Sequence, residues 1–150
     1  MMSEDSPHVV VPPPLIFGGL LAAGLFIECE SKAFGTRQIF ALALGTAGFG
    51  LIALAVGLFR THKTRPEPWQ PASVLVASGI YRLTRNPMYL GMAILSLAVA
   101  LFFASLPAAA LTLIAAIVVD RAVIAREEAY LMRRFGDDYA AYRRTVRRWL

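Results

Sequence analysis

Residues 38–59 read QIFALALGTAGFGLIALAVGLF, an uncharged apolar run long enough to cross a bilayer core, which takes about 20 helical residues. Three further apolar stretches flank it, at about residues 13–29, 87–106 and 107–125. The first opens on VPPP, and proline suits a helix start because the first turn has no amide partners to lose. Composition agrees: 57% of residues are hydrophobic, 17% are charged and the mean hydropathy is +0.58, far from the soluble average. The sequence predicts an all-α membrane protein with about four transmembrane helices and a cytoplasmic C-terminal helical extension. It forms a single domain over residues 1–150.

Basic residues orient the spans, because loops rich in lysine and arginine stay cytoplasmic. Arg60, Lys63, Arg65, Arg82 and Arg85 lie between the second and third runs, and eight arginines follow Asp120. Only Lys32 and Arg37 lie between the first and second, and the turn between the third and fourth is uncharged. Both termini are therefore expected in the cytoplasm of a bacterial-type inner membrane. Glu4 and Asp5 precede the first run with no lysine or arginine, unlike a signal peptide, so that run is expected to stay in the mature protein. The net charge of +5 suits anionic headgroups, and no aromatic-interleaved basic groove suggests nucleic acid. One cysteine, Cys29, excludes an internal disulfide; His8 and His62 stand alone, so no metal site is expected. Glu28 and Glu30 read as a solvated helix end, and Gly19 with Ala23 and Ala53 with Gly57 as close-packing pairs. The proline-containing tract at residues 61–79 reads as an ordered loop, long enough to suggest a function.

Two polar clusters interrupt this apolar plan. In TRNPMYLG, residues 84–91, Asn86 is a good helix N-cap and Pro87 a good first residue, so Met88 and Tyr89 fall in the first turn. Taken singly these residues are ordinary: arginine snorkels, tyrosine belongs to the interfacial belt and Asn-Pro starts a helix. Together they put unpaired amides and Arg85 at one interface, an arrangement that attracts carboxylate or phosphate. The second cluster is AREEAYLMRRFGDDYAAYRRTVRRWL, residues 125–150. With a reversal at Leu106 and Pro107, both Pro87 and Glu127 lie roughly 28 to 30 Å from the turn, hence at one depth. Arg85, Tyr89, Glu127 and Glu128 can then converge. Arg121, seven residues before Glu128, shares its helical face and offers an orienting ion pair. Phe135 and Gly136 suggest a helix end; Asp137 or Asp138 then caps a surface helix bearing Tyr139, Tyr142 and Trp149. Arginine, a helix N-terminus, paired glutamates and aromatic rings beside lipid suit a zwitterion carrying a nucleobase, such as S-adenosylmethionine.

These residues resemble the isoprenylcysteine carboxyl methyltransferase family and the wider group of small integral-membrane methyltransferases that includes phospholipid methyltransferases. The family pattern is Arg-x-Pro-x-Tyr, followed roughly 35 to 45 residues later by paired glutamates. Here RNPMY occupies residues 85–89 and EE residues 127–128, with 37 residues between. The likeness covers residues 75–150. It implies a cytoplasmic S-adenosylmethionine pocket built from residues 75–91 and 126–150, with a lipid-side entrance for a lipophilic acceptor. Glu127 or Glu128 would hold the cofactor amino group, and Arg85 with the amides after Asn86 the cofactor carboxylate. Leu75, Val76, Ala77, Gly79, Tyr81, Pro87 and Tyr89 would complete the pocket, and Arg85 and Glu128 would carry catalysis. Arg82 and Arg126 are acceptor candidates, although headgroup contacts also account for them. Asn86 stands where eukaryotic carboxyl methyltransferases have histidine, so the acceptor need not be a prenylcysteine. A carboxylate or thiol acceptor fits best, since an amine or hydroxyl calls for a base and none is dedicated to that task.

Two other readings share some of these features. Membrane sterol reductases carry a similar arginine-proline-tyrosine motif for a nicotinamide cofactor, in chains expected to be longer. A noncatalytic lipid- or partner-binding module would tolerate charge-preserving substitutions in both motifs.

Overall fold

A computed structural model of the chain describes residues 9, 11–28, 34–64 and 72–150. Helix α1 (Pro13–Ile27), α3 (Pro87–Phe102) and α4 (Leu106–Val118) each carry proline in the first turn, where its missing amide costs nothing. Helix α2 (Thr36–Thr61) starts behind Gly35, whose amide donates to Gln38 Oε1 at 3.0 Å. A 3-10 turn spans Gly79–Arg82. From α4 the chain stays helical through a π-helical segment, Val119–Ile124, into α5 (Ala125–Thr145). Among the described residues there is no strand. The expectations at Glu4, Asp5, His8, Cys29, Glu30, Lys32, Arg65 and the centre of the 61–79 loop lie outside the described residues; Glu28 is exposed, as a solvated helix end requires.

Two boundaries differ from expectation. The third and fourth runs reverse at residues 103–105, because the Ser105 hydroxyl accepts the Ala108 amide at 3.2 Å and caps a helix that already includes Leu106 and Pro107. The fourth run continues as one helix through Glu128, as its sequence predicts, but its regular α-helical stretch ends where a π turn begins at Val119.

Among the described residues, two helices are long and apolar enough to cross a bilayer: α2, and the continuous helix Leu106–Thr145, whose apolar part ends near residue 125. Helices α1 and α3 are apolar but shorter, at 15 and 16 residues. Only 17% of the apolar window of α2 is buried inside the protein. Leu15, Phe26, Phe40, Phe49, Leu54 and Ile117 likewise point outward. Exposed apolar surface on this scale is the mark of helices that face lipid.

Helix α2 packs on α3, and α1 on α4. Glycine makes both contacts possible. A Cβ on Gly48 would stand 2.8 Å from the Gly91 carbonyl oxygen, and one on Gly24 would stand 2.6 Å from the Ala108 amide nitrogen. The Ser105 hydroxyl adds a 3.3 Å hydrogen bond to the Gly24 carbonyl, tying the end of α1 to the α3–α4 turn. Small-residue packing was expected, but at other positions: Ala23 and Ala53 are exposed, and nothing lies within 4 Å of a Cβ on Gly19 or Gly57. A spacing of four identifies one helix face without saying which face meets a neighbour.

Just beyond α3, Ala104 adopts φ 53, the left-handed conformation that glycine reaches without Cβ strain. Ala104→Gly is expected to stabilise the fold by about 1 kcal/mol, read as a raised midpoint in thermal unfolding of detergent-solubilised protein. A lower midpoint would contradict this.

Candidate functional site

Thr84, Arg85 and Asn86 stand between the 3-10 turn and α3, and the chain returns to them from the far end of the sequence. Helix α5 kinks at Gly136, φ 50 and ψ −121, where the helix end was expected, and stops at Thr145. Trp149 therefore lies beyond the helix rather than on it, in a tail that folds across the start of α3. The Arg85 amide donates to the Arg147 carbonyl at 3.0 Å. Thr84 Oγ1 and Asn86 Nδ2 both donate to the Arg148 carbonyl, each at 3.0 Å. Asn86 thus occupies the N-cap position of α3, but its side chain holds the tail instead of capping the helix.

The side chains expected to converge do so. Arg85 Nη2 donates to Glu128 Oε1 at 2.7 Å, both side chains only 9% exposed, and Tyr89 donates its hydroxyl to Glu127 Oε1 at 2.6 Å. Adjacent carboxylates thus sit in different environments. Burial pushes the pKa of Glu128 up, but hydrogen bonds from Arg148 and Arg85, with their charges, outweigh it and hold the group below the ordinary carboxylate value. Half-buried Glu127 is pushed up to about 7 by burial, with the Tyr89 hydrogen bond opposing and the Glu128 charge adding. Such a divergence leaves Glu128 ionised at neutral pH while Glu127 exchanges its proton there.

Tyr81 is buried edge-on to Phe59 at 5.6 Å, and its carbonyl accepts the Tyr142 hydroxyl at 2.6 Å. Val76 packs with Tyr81 and Ala55; Leu75 and Ala77, beside it, are half-buried. Gly79 has φ +56, and a Cβ there would meet Leu58 Cδ1 at 2.9 Å. Pro87 is buried at the head of α3, while Arg82 and Arg126 are exposed.

Arg121 departs from expectation. Its side chain is 82% exposed and pairs with Asp120 at 3.3 Å. The orienting guanidinium on Glu128 is Arg148, through Nε at 3.1 Å and Nη2 at 2.6 Å. The reason is the π turn. At 3.6 residues per turn, positions seven apart share a face and positions eight apart diverge by roughly 80°. A π turn takes up more residues, and so rotates position 120, not 121, toward the face of Glu128. Arg148 reaches both acids, with Nη1 3.2 Å from each Asp120 oxygen. Trp149 Nε1 adds a 2.9 Å hydrogen bond to Asp120 Oδ1. Sequence reasoning missed Asp120, Arg148 and Thr84. Asp120 carried the one available signal, an acid at the end of an apolar run.

Comparison with known proteins supplies the class. A protein from Haemophilus influenzae described as uncharacterized is 41% identical over 63 residues, covering 42% of this chain and all of its own length. No solved structure matches. The family model for phospholipid methyltransferase matches residues 36–138, which hold both RNPMY and the paired glutamates, and by that match the chain belongs to the phospholipid methyltransferase family, a family of membrane methyltransferases.

Proposed function

We propose that the protein is an S-adenosylmethionine-dependent methyltransferase with four spanning helices, its termini and site on the cytoplasmic side of an inner membrane, acting on a lipophilic acceptor. The observation that carries this reading is the junction of the two motifs, Arg85 to Glu128 at 2.7 Å and Tyr89 to Glu127 at 2.6 Å. Two buried polar atoms in the same stretch, Ser78 Oγ and Arg85 Nε, have no hydrogen-bond partner. Buried polar atoms are seldom left so, and a polar ligand would satisfy them.

The residues present fit the cofactor. Glu128 is already neutralised by two guanidinium groups, whereas among the described residues Glu127 accepts from a tyrosine hydroxyl alone, so Glu127 is the carboxylate left to receive the amino group. Arg85 Nε and the free amides in the first turn of α3 would face the carboxylate, with Tyr81 and the 75–79 backbone alongside. Bound S-adenosylmethionine would supply an electrophilic methyl carried on a sulfonium. The protein's part in a direct displacement is to align the acceptor and exclude water. With Glu127 given to the cofactor, no dedicated base remains at the site among the described residues, which favours an acceptor that is already a nucleophile, such as a prenylcysteine-like carboxylate.

Purified protein in detergent should bind S-adenosylmethionine saturably and transfer labelled methyl into a panel of membrane lipids and prenyl thiols or carboxylates. Absence of saturable binding would sink this reading; tight binding of a reduced nicotinamide cofactor instead would favour a reductase. A pH test addresses Glu127. Its folded pKa lies above the ordinary value, so the unliganded fold loses stability as pH rises toward and through about 7. An ammonium partner needs the ionised form, so cofactor affinity should rise over the same interval. Glu127→Gln should weaken binding by about 10- to 100-fold at pH 8 and flatten the pH profile. A pH dependence retained in that variant would remove Glu127 from the role.

A further inference from the structure

The proposed chemistry uses Arg85, Glu127 and Tyr89, and leaves the tail beyond Thr145 unexplained. That tail is docked by every residue of Thr84-Arg85-Asn86, through three hydrogen bonds to the Arg147 and Arg148 carbonyls. A fourth runs from Arg85 Nη1 to the Val146 carbonyl at 2.8 Å. The backbone bonds deliver one side chain, Arg148, into the space between Asp120 and Glu128. There it makes four hydrogen bonds of 2.6 to 3.2 Å to the two carboxylates. The family match ends at residue 138, so nothing in it assigns this residue.

We propose that Arg148 is a positioning residue of the cofactor site: bridged between Asp120 and Glu128, it fixes the Glu128 carboxylate and thereby the helix turn that presents Glu127. The inference rests on the methyltransferase reading. A lone Arg85 contacts only Oε1 of Glu128 and leaves the carboxylate free to swing about it. Arg148 takes both oxygens in a fork, which sets the carboxylate plane as well as its place. Asp120, steadied by Trp149, does the same for Arg148. The π turn makes this geometry possible, because a regular helix would turn Asp120 away from the shared face.

The test is a set of S-adenosylmethionine titrations on the full chain. Arg148→Gln should weaken binding by about 10- to 100-fold, the loss expected for charge-assisted contacts. Arg148→Lys should recover part of it, since lysine keeps the charge but not the fork. Arg147→Gln alters a neighbouring exposed arginine whose carbonyl alone is used, and should bind as the wild type does. In a Glu128→Gln background, Arg148→Gln should cost less than about threefold more, because groups that act as one unit are not additive. A general effect of lost positive charge in the tail would instead weaken Arg148→Gln and Arg147→Gln alike. That result, wild-type affinity in Arg148→Gln, or full additivity with Glu128→Gln would each overturn the proposal. Should Arg148→Gln fail to fold, Arg148→Lys and Asp120→Asn decide it: both must weaken binding, and wild-type affinity in either overturns it. A wild-type protein that binds no S-adenosylmethionine sinks the methyltransferase reading itself, and the positioning role with it. Binding in the wild type without the Arg148 effects sinks only the latter.

Discussion

Replacing Glu128 by glutamine is expected to lower the unfolding free energy by about 3 kcal/mol and to remove detectable methyl transfer. Arg85 is the reason for the first effect. Its side chain is 9% exposed, its Nη1 donates to the Arg143 and Val146 carbonyls, and its charge is balanced by Glu128. Glutamine keeps an acceptor oxygen but leaves Arg85 facing a neutral partner while Arg148 keeps Asp120, and an unbalanced buried charge is far more costly than an absent pair. The second effect follows from the proposed function, because the uncompensated positive charge would oppose both the ammonium and the sulfonium of S-adenosylmethionine. Thermal unfolding in detergent and a methyl-transfer assay read the two separately. The double variant Arg85→Gln, Glu128→Gln should be less unstable than the sum of its parts; unchanged stability in Glu128→Gln would show that the charges are solvated after all.

Gly24→Ala is expected to be the most damaging single-methyl change in the helix bundle, with a loss of about 3 kcal/mol. The added Cβ would fall inside the Ala108 backbone, and backbone cannot rotate aside as a side chain can. Helices α1 and α4 would have to separate, opening the cluster in which Phe17 of α1 packs with Tyr89, Val119 and Ile124. The site would feel it through Tyr89, the donor to Glu127. The control is Gly19→Ala, five residues earlier on the same helix, where a Cβ meets nothing within 4 Å. That variant should be neutral or slightly stabilising. Equal loss in both, measured as the folded fraction recovered after detergent extraction, would contradict the close-packing argument.

The candidate site was half legible in the sequence. Arg85, Tyr89, Glu127 and Glu128 could be set near one depth because two helices of the same rise per residue leave a common turn; the observed reversal at residues 103–105 shortens one arm and lengthens the other by the same few residues, and the long side chains still meet. The ion pair assigned to Arg121 failed for an equally physical reason. Heptad reasoning assumes constant pitch, and the segment Val119–Ile124 does not keep it. Arg148 offered no signal among the closing arginines, because its importance comes from backbone hydrogen bonds to residues more than 60 positions away.

What the amino-acid sequence determined by itself is whatever depends on local composition and periodicity: the apolar helices, their proline-marked starts, the break at Gly136 and the level of the two polar motifs. Membrane insertion and helix formation respond to averages over many residues, so single misjudged boundaries do not disturb them. The tertiary structure alone decided which glycines are contacts, which arginine orients Glu128 and which of two adjacent carboxylates pairs with two arginines. Those outcomes turn on one helical face or one hydrogen bond, and a register shift of a single residue in the π turn is enough to exchange Arg121 for Asp120 at the site.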